Sequence, residues 1–134
     1  MAYSVLSGGG KPAKPMIIVA DDDAQVRKVA ARLVQVLGYD VLEAGNGFEA
    51  VESYKSNRDN VSALLLDVRM PIMDGVQAFE ELKRVNPKVR VLFYSGDTGR
   101  ARADELLKAG AVQFIDKPFN LDTLSKALSK AVNG

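Results

Sequence analysis

The amino-acid sequence predicts an α/β fold, a doubly wound five-stranded parallel sheet with helices on both faces. Two observations carry this. Five short apolar runs recur along the chain, and each is followed by a segment whose apolar residues fall three and four apart. Near-continuous apolar runs suit strands buried on both faces, and their alternation with helices implies parallel pairing. Right-handed crossovers then restrict the winding to doubly wound arrangements.

The elements follow in order. Met16 to Ala20 is the first strand, ending in three acids. Val26, Val29, Ala30, Leu33, Val34 and Leu37 form a helical face, and Gly38 ends the helix. Tyr39 to Ala44 is the second strand, closed by the turn Gly45-Asn46-Gly47. Phe48, Val51 and Tyr54 mark the second helix, and Ala63 to Leu66 is the third strand, ending at Asp67. Val76, Phe79, Leu82 and Val85 form the third helical face, with Pro87 beyond its end. Val89 to Tyr94 is the fourth strand, ending at Ser95-Gly96; Ala103, Leu106 and Leu107 mark the fourth helix, stopped by Gly110. Ala111 to Ile115 is the fifth strand, and Leu121, Leu124, Leu128, Ala131 and Val132 are the face of the last helix. Residues 1–15, with Gly8-Gly9-Gly10 and two Lys-Pro pairs, read as a flexible tail or linker, native or left from expression. The domain is expected over 16–134.

Composition narrows the chemistry. With 134 residues, one domain is the default. Lys and Arg number 18 against 17 Asp and Glu, a net charge of +1, so bulk charge gives no reason to expect nucleic acid. No apolar run approaches the ~20 residues of a membrane span, and no membrane contact is expected. The chain has no Cys and no His. Thiolate nucleophiles, disulfides, His bases and phosphohistidine are therefore excluded. A reducing cytoplasm fits. Any chemistry must run on carboxylates, hydroxyls and lysine.

In open α/β sheets, ligands bind beyond the carboxyl ends of the strands. Asp21-Asp22-Asp23, Asp67, Ser95 and Lys117 all fall there. A carboxylate can be a covalent nucleophile toward phosphorus. Several carboxylates held close repel one another, and a hard divalent cation relieves that repulsion. Asp23 suits the first turn of helix 1 as a cap, and Asp74 suits the N-cap of helix 3. Met70 and Met73 read as loop and core packing.

Ile-Val-Ala-Asp21-Asp22-Asp23, Leu-Leu-Leu-Asp67-Val-Arg-Met-Pro71-Ile-Met-Asp74-Gly75, Ser95-Gly96 and Asp116-Lys117-Pro118-Phe119 stand in this order and spacing. Together they make the chain, from Met16 to Val132, resemble the receiver domains of response regulators and hybrid histidine kinases. The resemblance implies a flavodoxin-like sheet in the order 2-1-3-4-5. It implies Asp67 as phosphoacceptor and Mg2+ (or Mn2+) as cofactor. The metal would be held by Asp21, Asp22, Asp67 and the backbone carbonyl of Arg69. Lys117 and Ser95 would bind phosphoryl oxygens, with a cis Lys117–Pro118 bond aiming the amine inward. Phe114 would rotate inward as a switch, in a place where many relatives carry Tyr, and Arg69 and Asp97 would flank the site.

The implied partners are a sensor histidine kinase or phosphotransfer domain as donor. The helix 4, strand 5 and helix 5 surface would be the readout and a homodimer contact. Such a domain is a signalling acceptor that can lose its own phosphoryl group, not a conventional enzyme. Two other readings compete. Aspartyl-phosphate phosphatases usually carry a second Asp two residues after the nucleophile, where this chain has Arg69. A degenerate receiver acting only as an interaction module would lack active-site residues, and all are present here. With no effector after Gly134, the expectation is a single-domain regulator or a receiver cut from a larger protein. The run from Leu37 to Ala44, with Leu92 to Gly96, resembles C-terminal receivers of hybrid sensor kinases and tilts the choice that way.

Overall fold

The computed structural model describes residues 14–96 and 101–133. Residues 1–13, most of the expected tail, and Asp97 lie outside the described residues. The strands are β1 (Met16–Ala20), β2 (Asp40–Ala44), β3 (Val61–Asp67), β4 (Val91–Ser95) and β5 (Gln113–Asp116). The helices are α1 (Ala24–Val36), α2 (Gly47–Asn57), α3 (Gly75–Val85), α4 (Ala103–Lys108) and α5 (Leu121–Asn133). All strand pairs are parallel, in the order β2-β1-β3-β4-β5.

Side chains alternate across each strand, so the sheet separates two apolar layers. On one face, Ile18, Leu64, Leu66, Val91 and Phe93 pack under α2, α3 and α4 through Val51, Phe79, Leu82 and Leu106. On the other, Ile17, Val19, Leu65, Leu92, Tyr94 and Ile115 pack under α1 and α5 through Val34, Leu124 and Leu128. Leu64, Leu65 and Leu66 are all fully buried. That is why β3 reads as an unbroken apolar run rather than an alternating one.

The helix ends follow their local chemistry. Gly38 has φ +100° just beyond the α1 C-cap, a conformation that an L side chain rarely adopts. Asp74 caps α3 with a full capping box: its carboxylate accepts from Gln77 N at 2.8 Å, and Gln77 Oε1 accepts from Asp74 N at 3.0 Å. Met70 and Met73 pack into or against the core as expected.

Several strand boundaries and helix-face residues depart from the sequence reading: β2 starts at Asp40 rather than Tyr39, and Phe48, Leu107 and Leu121 are exposed although their spacing put them on packed faces. β4 starts at Val91 rather than Val89, and β5 at Gln113 rather than Ala111. Val89 and Ala111 are buried, but their N–H groups bond to Asn86 O and Leu106 O, closing the preceding helices instead of joining the sheet. β3 is longer than expected and includes Asp67 itself. On α1, Val29 is 62% exposed. At 100° per residue it lies about 140° round from Val34, outside the stripe that meets the sheet.

Candidate functional site

Strand alternation gathers the site. Asp21 follows Ala20 and shares the parity of Ile17 and Val19; Asp67 shares that of Leu65. Lys117 has the parity of Ile115. All three therefore leave the strand ends on the α1/α5 side. Register puts Asp67 level with Tyr94, and Ala20 level with Leu66. The three residues then meet. Lys117 Nζ donates to Asp21 Oδ2 at 2.9 Å and to Asp67 Oδ2 at 3.2 Å. Lys117 N donates to Ser95 O at 2.8 Å, tying the loop after β5 to the end of β4. The Lys117–Pro118 peptide bond is cis, as the resemblance implied.

Asp21 is 1% exposed and Asp67 is 7% exposed. Two buried carboxylates on one lysine leave a net negative charge in a dry setting. Burial pushes the Asp67 carboxyl up to about 6; Lys117 works against that rise and Asp21 adds to it. The Arg69 backbone also hydrogen-bonds Asp67, which favours the ionised form. Asp22 is exposed and stands at the mouth. Carboxylate oxygens of Asp21, Asp22 and Asp67 lie within 4.8 Å of one another. A hard divalent cation fits this all-oxygen, net-negative donor set, with room on the Asp22 side for water ligands.

Asp23 is held elsewhere. Its carboxylate caps α1 through Gln25 N and Val26 N, as a first-turn acid should. Its own N–H donates to Asp21 Oδ1 at 2.9 Å, so the acidic run orients itself. Gly75 sets the loop after β3. A Cβ there would stand 2.2 Å from Asp67 O, so only glycine lets the start of α3 come against the strand end. Gly75 N donates to Val68 O at 2.9 Å across that contact.

Ser95 and Phe114 share the opposite parity, that of Phe93, which pairs in register with Phe114. Ser95 is 3% exposed at the end of β4. Phe114 is buried in the α2/α3/α4-side layer, so in this conformation its ring already lies inward. The candidate switch pair thus flanks the charged cluster across the sheet. Arg69 and Pro118 are exposed at the rim. Asp97 lies outside the described residues.

Two residues of the site escape a reading by motif. Tyr94 hydroxyl donates to Asp21 Oδ2 at 2.8 Å, and Lys117 Nζ stands 4.5 Å from the centre of its ring. Burial, then the charge of Asp21, pushes the phenol well above its ordinary range, so it stays a donor. Arg27 Nη1 donates to Asp21 O at 2.9 Å, and its Nε pairs with Glu43 at 3.0 Å. In sequence, Tyr94 looks like one more apolar strand residue. The signal available was that a buried Tyr hydroxyl needs a partner, and alternation puts this one beside Asp67.

Comparison with known proteins agrees with this geometry. The chain matches the family described as response regulator receiver domain over residues 17–129. It is 33% identical over 118 residues to the chemotaxis protein CheY of Bacillus subtilis, covering 87% of this chain and 97% of that protein. It is 31% identical over 119 residues to the autoinducer 1 sensor kinase/phosphatase LuxN of Vibrio campbellii, covering 89% of this chain but 14% of that protein. A response regulator receiver domain protein from Clostridium thermocellum superposes with a TM-score of 0.85 at 26% identity, covering 89% of this chain and 94% of that one. Among the described residues, no helix is long and apolar enough to cross a membrane. The matched span, the 2-1-3-4-5 sheet and the aspartate–lysine cluster agree: this chain belongs to the response regulator receiver domain family of two-component signalling.

Proposed function

We propose that this domain accepts a phosphoryl group on Asp67 from a phosphohistidine donor and displays the change on α4, β5 and α5. The observation that supports this most directly is the placement of one buried carboxylate, Asp67, between a lysine and a divalent-ion donor set. With its carboxyl at about 6, Asp67 is mainly ionised at neutral pH and able to attack. A carboxylate oxygen forms the new P–O bond as the donor's P–N bond breaks. The electron pair returns to the imidazole nitrogen, which takes a proton from solvent. Because the chain has no His, the donor is another molecule or another domain.

Phosphoryl transfer spreads charge over three equatorial oxygens, so catalysis is positioning and neutralisation. Lys117 supplies a cation on one side. The Ser95 hydroxyl, at the end of β4, serves a second oxygen. Asp21, Asp22, Asp67 and the Arg69 carbonyl would hold Mg2+, which when bound neutralises carboxylate and phosphoryl charge. Movement of Ser95 toward the new group is coupled to Phe114 on the same face of the sheet. In this role the domain is a signalling acceptor, and loss of its phosphoryl group resets it. Its likeness to part of a sensor kinase supports a setting within a larger kinase, and its likeness to nearly the whole of CheY supports a stand-alone one.

The test is incubation with Mg2+ and acetyl phosphate, read by mass spectrometry. One added phosphoryl group is expected on the wild type and none on Asp67→Asn. Undiminished labelling of Asp67→Asn sinks the assignment.

A further inference from the structure

We infer that Arg27 is a positioning residue of the divalent-ion site: its guanidinium holds the peptide that joins Asp21 to Asp22, and so sets both acids for the cation. The inference rests on Asp21, Asp22 and Asp67 being the acids that hold the ion. Asp21 and Asp22 differ in what places them. Asp21 is 1% exposed, and its carboxylate is fixed by Lys117, the Tyr94 hydroxyl and Asp23 N. Asp22 is exposed at the mouth, so its place follows from the backbone on either side. After it, the Asp23 carboxylate is anchored as the α1 cap through Gln25 N and Val26 N. Before it, Asp21 N donates to Ala44 O at 3.1 Å, and Asp21 O accepts from Arg27 Nη1 at 2.9 Å. The peptide unit is planar, so holding its oxygen also fixes the plane that leads into Asp22.

Arg27 is itself held. Its backbone N donates to Asp23 O at 2.8 Å in the first turn of α1. Its Nε donates to Glu43 Oε1 at 3.0 Å, and Glu43 pairs in register with Val19 near the end of β2. One planar fork therefore spans a carboxylate on β2 and a carbonyl in the acidic loop, which a single flexible ammonium would hold less firmly. The charge is also managed. A lone cation beside the loop would repel a divalent ion, but paired with Glu43 the guanidinium adds no net charge and leaves the three acids negative. Its contact with Asp21 is to a carbonyl, so it does not compete with the ion for that carboxylate. The same clamp serves the loop with or without the ion.

Arg27→Gln separates the two arms. The amide nitrogen of glutamine stands where Nε stood and keeps Glu43, while nothing remains to reach Asp21 O. Mn2+ is the probe, titrated into folded protein and followed by the paramagnetic resonance signal of the free ion. The Kd of Arg27→Gln should rise about tenfold, the size expected when a group that orients a metal ligand is lost. A cation that acted only through its charge would give the opposite sign, since its removal tightens binding. A contact that served only the fold would lower Tm and leave Kd unmoved. Arg27→Met removes both arms and should weaken Mn2+ at least as much. Arg90→Gln is the control. Arg90 precedes β4 at the opposite end of the sheet, where its Nε donates to Ala131 O at 3.1 Å and its Nη2 to Lys130 O at 3.2 Å. Its Kd should equal that of the wild type. The inference is overturned if Arg27→Gln binds Mn2+ as tightly as the wild type or more tightly, or if Arg90→Gln loses as much. A wild type that takes up no Mn2+, or an Asp22→Asn variant that takes it up unchanged, would instead overturn the metal site and this inference with it.

Discussion

Replacing Asp67 by Asn should make the metal-free protein more stable, although it removes an ion pair. Asp67 is 7% exposed, and its carboxyl is raised from 3.8 to about 6 by burial, against the pull of Lys117 and with the push of Asp21. Below pH 3.8, folded and unfolded chains both hold the proton. Between 3.8 and about 6 the unfolded chain releases it while the folded chain keeps it, so stability falls as pH rises. Above about 6 the loss is complete. Two pKa units correspond to nearly 3 kcal/mol. The neighbouring Asp22 side is open to water, and screening there reduces the expected effect to about 1–2 kcal/mol. Asn resembles the protonated acid and avoids this penalty at every pH. For a domain of this size the gain amounts to about 4–8 °C in Tm. The assay is thermal unfolding in chelator, at pH 4 and pH 7. The wild type should lose stability between the two relative to Asp67→Asn. At pH 7, millimolar Mg2+ should then raise the wild-type Tm and leave Asp67→Asn nearly unmoved, since a ligand stabilises only the state that binds it. An Asp67→Asn protein no more stable than wild type in chelator at pH 7, or one that gains as much from Mg2+, refutes the reasoning.

Lys117→Ala leaves Asp21 and Asp67 close together with no cation between them. It should destabilise the metal-free protein by about 2 kcal/mol, less than for breaking a fully buried pair because the lysine side chain is 23% exposed. Unfolding in chelator and in millimolar Mg2+ checks this, and the deficit should shrink in Mg2+. Asp74→Ala removes a helix cap and touches none of the clustered charges, so it should lower stability by about 1 kcal/mol and leave labelling of Asp67 unchanged.

Much of the fold was legible because burial and period are written locally. Leu64 to Leu66 is an apolar run because β3 is covered on both sides, and Asp23 and Asp74 announce helix starts by a side chain that reaches two or three residues on. The boundaries of β4 and β5 were not. Val89 and Ala111 are as apolar as strand residues, and only the path of their N–H groups into preceding helices removes them from the sheet. The exposure of Val29 was hidden for a similar reason, since spacing tells which residues share a stripe but not how wide a stripe the sheet will cover.

By itself, the sequence determined the alternation of strands and helices, the acids at the strand ends and the absence of any His or Cys. Those features depend on residue type and near neighbours, and they suffice to bring Asp21, Asp67 and Lys117 to one edge. Only the tertiary structure decided how they share charge. Lys117 stands 96 residues from Asp21 and bonds to the same oxygen as Tyr94, which is 73 residues away. Parallel register and strand parity bring these atoms within hydrogen-bond distance, and burial then makes the carboxylates need both donors. No local pattern encodes that need, because it arises from the exclusion of water by elements that are remote in the chain.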